Sequence, residues 1–250
     1  MKNLLIYTGP QKRFSKEDAT LAKIQIDNSL DLGWKRQDLI LATDFTFEYN
    51  GVRSMILPDG LYYDFDKMAN KSIVLAYLLS QGIIEPGQLY WCHDFDAYEN
   101  SLINEAQLDL ENYDLGLTHY TYKPQWQFGS LFLRSSSKDI LKLLDQTIRA
   151  KPYSSRNNEK TLTQLINDNA IDSSRYKRMN VTYNIMKRYL QTIYPLAEKP
   201  LAVLHFRPSD PKDDRMPDGA LNMFMYGKNS LKFPLMSDRL IKIFTQHGIK

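Results

Sequence analysis

The sequence predicts an α/β fold in which helices flank both faces of a mainly parallel central sheet. Short apolar runs that end in turn residues alternate with longer segments whose apolar residues recur at helical spacing. The 250 residues, of which 43% are hydrophobic and 24% charged, are enough for one domain with a large core. Because such sheets bind ligands at the carboxyl ends of their parallel strands, we expect the functional residues at those ends.

Strands and helices alternate in the first part of the chain. The apolar run 4–7 is a predicted strand that Thr8-Gly9-Pro10 ends. Residues 15–33 form a predicted helix that begins with a capping box of Ser15 and Asp18. Further elements are strands at 38–43, 52–57 and 88–92, and a helix at 68–79.

The second part of the chain is less regular. Strands predicted at 115–118 and 130–133 precede helices predicted at 138–149 and 158–167. Residues 181–183 and 201–205 are strand-like, and 208–218 is a polar loop with three prolines.

The charge of the chain is nearly balanced, with 32 basic and 29 acidic side chains and a formal net charge of +3. Nucleic-acid binding would therefore require a local basic patch. Cys92 is the single cysteine, which excludes an intramolecular disulfide and a cysteine-rich zinc site. Since no apolar run approaches the ~20 residues of a membrane span, we expect a cytoplasmic protein without a membrane partner, in the host cytoplasm if it is viral.

Two aspartates follow the predicted strand 88–92, in the stretch His93-Asp94-Phe95-Asp96. Strand alternation sends both aspartates to one side and Phe95 toward the core, and it makes His93 a buried support residue. Two neighbouring carboxylates repel each other, and a hard divalent cation with oxygen ligands relieves that repulsion. The pattern predicts a Mn²⁺ or Mg²⁺ site that also contacts the phosphates of a ligand.

A simpler interpretation is that Asp94 and Asp96 are solvated in a loop or cap a helix that begins near Ala97. A second copy of the motif, Asp64-Phe65-Asp66, stands just before the predicted helix 68–79. Acidic residues at the start of a helix interact favourably with its dipole. We therefore interpret that second copy as helix capping.

Three segments of the chain resemble the nucleotide-sugar half of GT-A glycosyltransferases. Residues 6–9 and 42–44 end the first two strands, and 89–97 carries the Asp-x-Asp motif at the end of the fourth. In that family the motif binds Mn²⁺ or Mg²⁺ against the diphosphate of a UDP-sugar. The resemblance implies that both motif aspartates are metal ligands and that the donor is bound in this half by Thr8, Asp44, Lys71 and Asp94.

The resemblance continues downstream to about residue 207. Segment 126–133 is similar to the strand beside the donor sugar, which implies donor contacts from Gly129 and Ser130, although Phe128 stands where a polar residue is usual. Segment 203–206 resembles the late strand whose histidine completes the metal site, here His205.

The resemblance also implies that the catalytic residues lie at the start of the helix that begins at Asn158. Many family members have an acidic or amide residue there that faces the reacting carbon, which assigns Asn158 and Glu159 to catalysis. The resemblance further implies a single GT-A-like domain over 1–250. Its nucleotide-sugar half is at about 1–100, and its acceptor half, with the metal-ligand strand, is at about 101–250.

The pattern that includes segments 23–28 and 47–51 also resembles small glycosyltransferases of viruses and phages. Some of these relatives add arabinose or glucose to hydroxymethylated bases of phage DNA. Basic residues for phosphate contacts and tyrosines for base stacking would be Arg175, Lys177, Arg178, Lys187, Arg188, Tyr176, Tyr183 and Tyr189. The alternative is a solvated helix face with half-buried tyrosines.

We therefore expect a hexosyl- or pentosyltransferase that moves a sugar from a nucleotide-sugar, a UDP-sugar by resemblance, to a hydroxyl of phage DNA, a glycan or lipopolysaccharide. A haloacid-dehalogenase-like phosphohydrolase is a rival, but its Asp-x-Asp belongs on the first strand. A non-haem iron oxygenase needs His-x-Asp, and Phe95 breaks that spacing. The balanced charge disfavours a non-catalytic nucleic-acid-binding module.

Overall fold

The computed structural model describes residues 1–65, 69–120, 123–151, 157–186, 193–206 and 235–249. Asp66, Lys187, Arg188, Tyr189 and the loop 208–218 lie outside these ranges. The chain forms two compact units. The first comprises Met1–Phe14, Lys35–Asp94 and Asn104–Met179, and the second comprises Ser15–Trp34, Phe95–Ile103 and Asn180–Lys250.

The first unit is built on an eight-stranded sheet. Its strands are β1 (Lys2–Tyr7), β2 (Leu39–Thr43), β3 (Glu48–Tyr49), β4 (Val52–Ile56), β5 (Tyr90–His93), β7 (Leu115–His119), β8 (Trp126–Leu133) and β9 (Tyr176–Arg178). Their order across the sheet is β3-β4-β2-β1-β5-β8-β7-β9. The strand β6 (Ala97–Glu99) belongs to the second unit.

The pairing confirms the α/β class and shows that the sheet is mixed. β1 runs parallel to β2 and β5, and β2 runs parallel to β4. β8 runs antiparallel to both of its neighbours, β5 and β7. The central strand β5 is buried along its whole length, which explains its uninterrupted run of large side chains.

In the described part of the first unit the helices are α2 (Asn70–Ser80), α3 (Glu105–Leu108), α4 (Lys138–Ala150) and α5 (Asn158–Asn167). α2 packs on α4, α4 packs on α5, and α5 packs on β8. The buried side chains of α4 recur at helical spacing, as Ile140, Leu141, Leu144 and Ile148. α4 thus buries one apolar face, while α2 and α5 contact β1 and β8 of the sheet.

Among the described residues, the second unit holds a three-stranded sheet and the helices α1 (Lys16–Asp31) and α6 (Asp238–Gln246). β11 (Val203–His205) lies between β10 (Ile185–Met186), to which it is parallel, and β6, to which it is antiparallel. α1 packs on α6 and β6. As predicted, the Ser15 hydroxyl caps α1 by accepting from the Asp18 amide at 3.0 Å.

Several short elements differ from the sequence-based predictions. Residues Val181–Tyr183 form a 3-10 turn and not a strand, and Tyr176–Arg178 is a strand and not a helix face. Ala97 begins strand β6, so Asp94 and Asp96 do not cap a helix there. The first turn of α2 contains no acidic residue, and Asp64 lies outside it; Asp66, the other acidic residue of that copy, lies outside the described residues. Short strands depend on pairing partners that periodicity does not reveal.

Among the described residues, none forms a helix with the length and apolarity needed to cross a membrane.

Candidate functional site

Asp94 stands at the carboxyl end of the central strand β5. Its backbone amide donates to the carbonyl oxygen of Gly129 at 2.8 Å, which continues the pairing of β5 with β8 past His93. The strand therefore fixes the backbone of Asp94, while its carboxylate is 38% exposed. A well-ordered backbone beneath an accessible carboxylate suits ligand binding.

Lys71, in the first turn of α2, forms an ion pair with Asp94. Its Nζ lies 2.5 Å from Asp94 Oδ1 and donates to the carbonyl oxygen of Phe128 at 2.8 Å. The Lys71 side chain is 8% exposed. A nearly buried ammonium thus lies directly beside the carboxylate at the end of β5, where an anionic ligand would meet both charges.

Asp96 and His205 face each other across the antiparallel pair of β6 and β11. His205 is registered with Ala97, and the Phe206 amide donates to the Asp96 carbonyl oxygen at 2.8 Å. These backbone contacts bring His205 Nε2 to 3.2 Å from Asp96 Oδ1. Phe95 is buried, as strand alternation predicts.

Asn184 contacts the other nitrogen of the same imidazole ring. Its Oδ1 lies 2.9 Å from His205 Nδ1, and the residue is fully buried. Sequence reasoning missed Asn184 because it took 181–183 as a strand. The only local signal is an asparagine that directly precedes a strand.

Asp94, Asp96 and His205 form a group that could hold a metal ion. Each offers one ligand atom, and these atoms all lie within 4.8 Å of one another. Two carboxylates and one imidazole are ligands that a divalent cation such as Mn²⁺ can take, with further oxygen ligands from a substrate. The chemistry of the residues present therefore fits the cation that the sequence predicts.

Thr8 and Asp44 follow β1 and β2 at the same edge of the sheet. The Thr8 hydroxyl donates to the Leu61 carbonyl oxygen at 2.7 Å, and Asp44 Oδ2 accepts from the Gly9 amide at 3.2 Å. Asp44 Oδ1 is buried and has no hydrogen-bond partner in the part of the chain that the structure describes. A buried acceptor left unpaired costs about 1–3 kcal/mol, which a ligand N–H or O–H could recover.

Gly129 and Ser130 lie in β8, next to the end of β5. Gly129 contributes its carbonyl oxygen to the Asp94 backbone, whereas the buried Ser130 hydroxyl accepts from Trp91 Nε1 at 2.9 Å. His93 is buried, with Nε2 at 2.9 Å from Asn3 Oδ1. It supports the strand end, as predicted.

Glu159 lies at the start of α5 beneath β8. Its carboxylate accepts from the Tyr120 hydroxyl at 3.2 Å, Gln125 Nε2 at 2.9 Å and the Phe128 amide at 3.1 Å. Burial raises the pKa of Glu159, and the negative charge of Asp94 acts in the same direction. The backbone of Phe128 therefore links Glu159, which accepts from its amide, to Lys71, which donates to its carbonyl oxygen.

Asn158 precedes Glu159 and is also buried. Its Oδ1 accepts from the Glu159 amide at 2.8 Å. This contact fixes the first turn of α5 and leaves the orientation of Glu159 well defined.

Two of the basic residues in and beside β9 are engaged in ion pairs. Arg175 pairs with Asp114 and Asp139, and Lys177 pairs with Asp109 at 2.7 Å. Their charges are therefore partly neutralised within the protein, which weakens the case for a phosphate-binding patch here.

No protein-family model matches the chain, and no curated protein matches its sequence. Solved structures do match. A glycosyltransferase involved in glycosylating the major capsid of PBCV-1 has 13% identity and a TM-score of 0.55 over 84% of this chain and 95% of its own. The galactosyltransferase LgtC, in complex with donor and acceptor sugar analogs, has 11% identity and a TM-score of 0.54 over 82% and 87%.

The glycosyltransferase GlyE of Streptococcus pneumoniae TIGR4 has 12% identity and a TM-score of 0.58, over 98% of this chain and 64% of its own. Together these matches show that the chain has the GT-A fold of glycosyltransferases. Because identities of this size establish a shared fold alone, the activity is argued from the residues of the site.

Proposed function

We propose that the protein is a metal-dependent glycosyltransferase that moves a sugar from a nucleotide-sugar, a UDP-sugar, to a hydroxyl acceptor. The observation that carries the proposal is the group Asp94, Asp96 and His205, with its ligand atoms within 4.8 Å of one another in a chain with the fold of glycosyltransferases. A bound Mn²⁺ or Mg²⁺ supplies Lewis-acid neutralisation of the departing diphosphate.

Lys71 adds a second positive charge at the same place. Its ammonium is held by Asp94 and the Phe128 carbonyl group, so it is already desolvated and oriented before a ligand arrives. A fixed charge of this kind stabilises the growing negative charge of a leaving group without reorganisation.

The donor nucleoside is assigned to the ends of β1 and β2. Asp44 Oδ1 lacks a partner among the described residues and can accept an N–H or O–H from a base or ribose, with Thr8 beside it. Gly129 and Ser130 are assigned to the sugar. We keep the proposal of one domain over 1–250, with a donor half at about 1–100 and an acceptor half at about 101–250.

Asn158 and Glu159 are proposed to act on the transferred sugar and the acceptor hydroxyl. Glu159 and Lys71 both contact the backbone of Phe128 in β8. Of the acceptors considered, we favour a glycan hydroxyl over a hydroxymethylated DNA base, because Arg175 and Lys177 are engaged in ion pairs.

Thermal unfolding with a panel of nucleotides tests the proposal. UDP, GDP and CDP are each added with Mn²⁺, Mg²⁺ or EDTA, because a ligand at a hundred times its dissociation constant adds about 2.7 kcal/mol of stability. We expect a metal-dependent rise in Tm with UDP that Asp96→Asn abolishes. Asp64→Asn is the matched control, since it alters the exposed first aspartate of the second Asp-Phe-Asp copy and should keep the shift.

Release of UDP from UDP-sugars, with glycan hydroxyls and hydroxymethylated DNA as alternative acceptors, then identifies the reaction. A folded protein that shows no metal-dependent shift with any nucleotide, or an Asp96→Asn variant with the wild-type transfer rate, would refute the proposal. Phosphatase activity in place of transfer would favour the dehalogenase-like rival.

A further inference from the structure

Asn184 and Asp96 contact opposite nitrogens of the His205 ring. Asn184 Oδ1 is 2.9 Å from Nδ1, and Asp96 Oδ1 is 3.2 Å from Nε2. The Asn184 side chain is fully buried, and its Nδ2 is also buried without a hydrogen-bond partner in the described parts of the chain. Among the described residues, the side-chain amide of Asn184 thus makes its hydrogen bond to His205 Nδ1.

The backbone that carries Asn184 is held on both sides. The Asn180 side chain accepts from the amides of Thr182 at 2.9 Å and Glu198 at 3.0 Å, and the Thr182 hydroxyl accepts from the Ala202 amide at 3.1 Å. These bonds tie the turn before β10 to the segment that leads into β11. Pairing of Ile185 with Leu204 then fixes the position of Asn184 relative to His205.

An amide oxygen at Nδ1 determines which ring nitrogen carries the proton. Because Asn184 Oδ1 can only accept, the neutral imidazole that pairs with it must be protonated on Nδ1. The lone pair then lies on Nε2, the nitrogen that faces Asp96. The opposite tautomer would place the lone pairs of Nδ1 and Oδ1 against each other and put a hydrogen on Nε2, which would then have no lone pair for a cation.

We propose that Asn184 is a positioning residue that holds His205 in the orientation and tautomer needed for Nε2 to bind a divalent cation together with Asp94 and Asp96. This inference rests on the proposed function, because it assigns a second layer to the same metal site. Residues that orient metal-bound histidines in this way typically change metal affinity by about 10- to 100-fold when they are replaced.

Calorimetric titration with Mn²⁺ alone, without nucleotide or sugar, tests the inference. Asn184→Leu has a similar volume and no acceptor, and we expect it to weaken Mn²⁺ binding by about 10- to 100-fold. Asn184→Asp keeps the acceptor oxygen and should bind Mn²⁺ at least as tightly as the wild type. Thermal unfolding in EDTA establishes that both variants are folded.

A double-mutant cycle shows whether Asn184 acts through His205. In a His205→Ala background, Asn184→Leu should weaken Mn²⁺ binding no further. An equal additional loss in that background would mean that Asn184 only maintains the fold, and an Asn184→Asp gain that persists there would mean bulk electrostatics. Either result overturns the inference.

A measurement on the wild-type chain avoids any dependence on variant folding. Nitrogen-15 NMR of the imidazole rings in EDTA, with His205 assigned by loss of its signals in His205→Ala, should show a proton on Nδ1 of His205. A ring protonated on Nε2 alone overturns the inference. Wild-type protein that binds no Mn²⁺ refutes the proposed function itself, whereas tight binding in both wild type and Asn184→Leu refutes only the role of Asn184.

Discussion

Glu99, a fully buried carboxyl of β6, should make the stability of the protein depend on pH. Its Oε1 accepts from the Ile103 amide at 2.7 Å, and its Oε2 accepts from Trp34 Nε1 at 2.7 Å. Burial nevertheless dominates and raises the pKa of Glu99 from 4.5 to about 7. The folded state therefore binds a proton more tightly than the unfolded state does.

The sign and size of the effect follow from that difference. A raised pKa means that the free energy of unfolding is highest below pH 4.5 and falls as the pH rises to about 7, beyond which it is constant. The difference of 7 − 4.5 = 2.5 pH units corresponds to about 3 kcal/mol, at about 1.4 kcal/mol per unit.

Glu99→Gln removes this proton linkage. The amide keeps one acceptor oxygen and loses the other, which costs about 1–3 kcal/mol independently of pH. Urea unfolding of both proteins between pH 5 and 8 measures the result. We expect the stability difference to move by about 3 kcal/mol in favour of the variant as the pH rises.

Glu111 is exposed, and Glu111→Gln serves as the control. It should leave the pH dependence of the free energy of unfolding as it is in the wild type. A difference between wild type and Glu99→Gln that stays constant from pH 5 to 8 would show that burial does not hold a proton on Glu99.

Three further predictions concern the proposed donor site. Lys71→Met removes the cation beside Asp94 and should therefore weaken UDP binding at least about tenfold, a loss of about 1.4 kcal/mol, without weakening Mn²⁺ binding. Calorimetry with each ligand separately checks this. Unchanged UDP affinity would contradict it. Asp44→Asn should weaken UDP binding by about 1–3 kcal/mol with Mn²⁺ affinity unchanged, since Oδ1 is a buried acceptor. Equal dissociation constants for UDP in the wild type and the variant would rule out a nucleoside contact. Glu159→Gln should lower kcat by about 100-fold or more with little change in the KM of the donor. A wild-type kcat in steady-state transfer assays would show that Glu159 is not catalytic and only accepts a hydrogen bond from the Phe128 amide.

Candidate site residues could be found from the sequence wherever an apolar strand ends abruptly in polar residues. Asp94 and Asp96 were found in this way, because β5 is an uninterrupted buried strand and alternation places Phe95 in the core. The structure brings their ligand atoms together with that of His205. That histidine is far away in the chain, and only the resemblance connected it with the aspartates beforehand.

The sequence-based predictions of secondary structure were wrong where an element is too short to show periodicity. The strand Tyr176–Arg178 has three residues and exists because β7 offers it a parallel partner. The cluster of basic residues in and beside this strand suggests nucleic-acid binding, but Lys177 and Arg175 pair with acidic residues at the distant positions Asp109 and Asp114. Charge neutralisation of this kind depends on tertiary contacts.

The sequence by itself determined the α/β class, the long helices and the motif at the end of β5, because hydrophobic periodicity and capping are local properties. Only the tertiary structure decided that β8 runs antiparallel beside β5, that Lys71 pairs with Asp94, and that Asn184 lies against His205. Each of these depends on which distant segments pair and in which direction. That choice is made by the packing of the whole core and not by any local pattern.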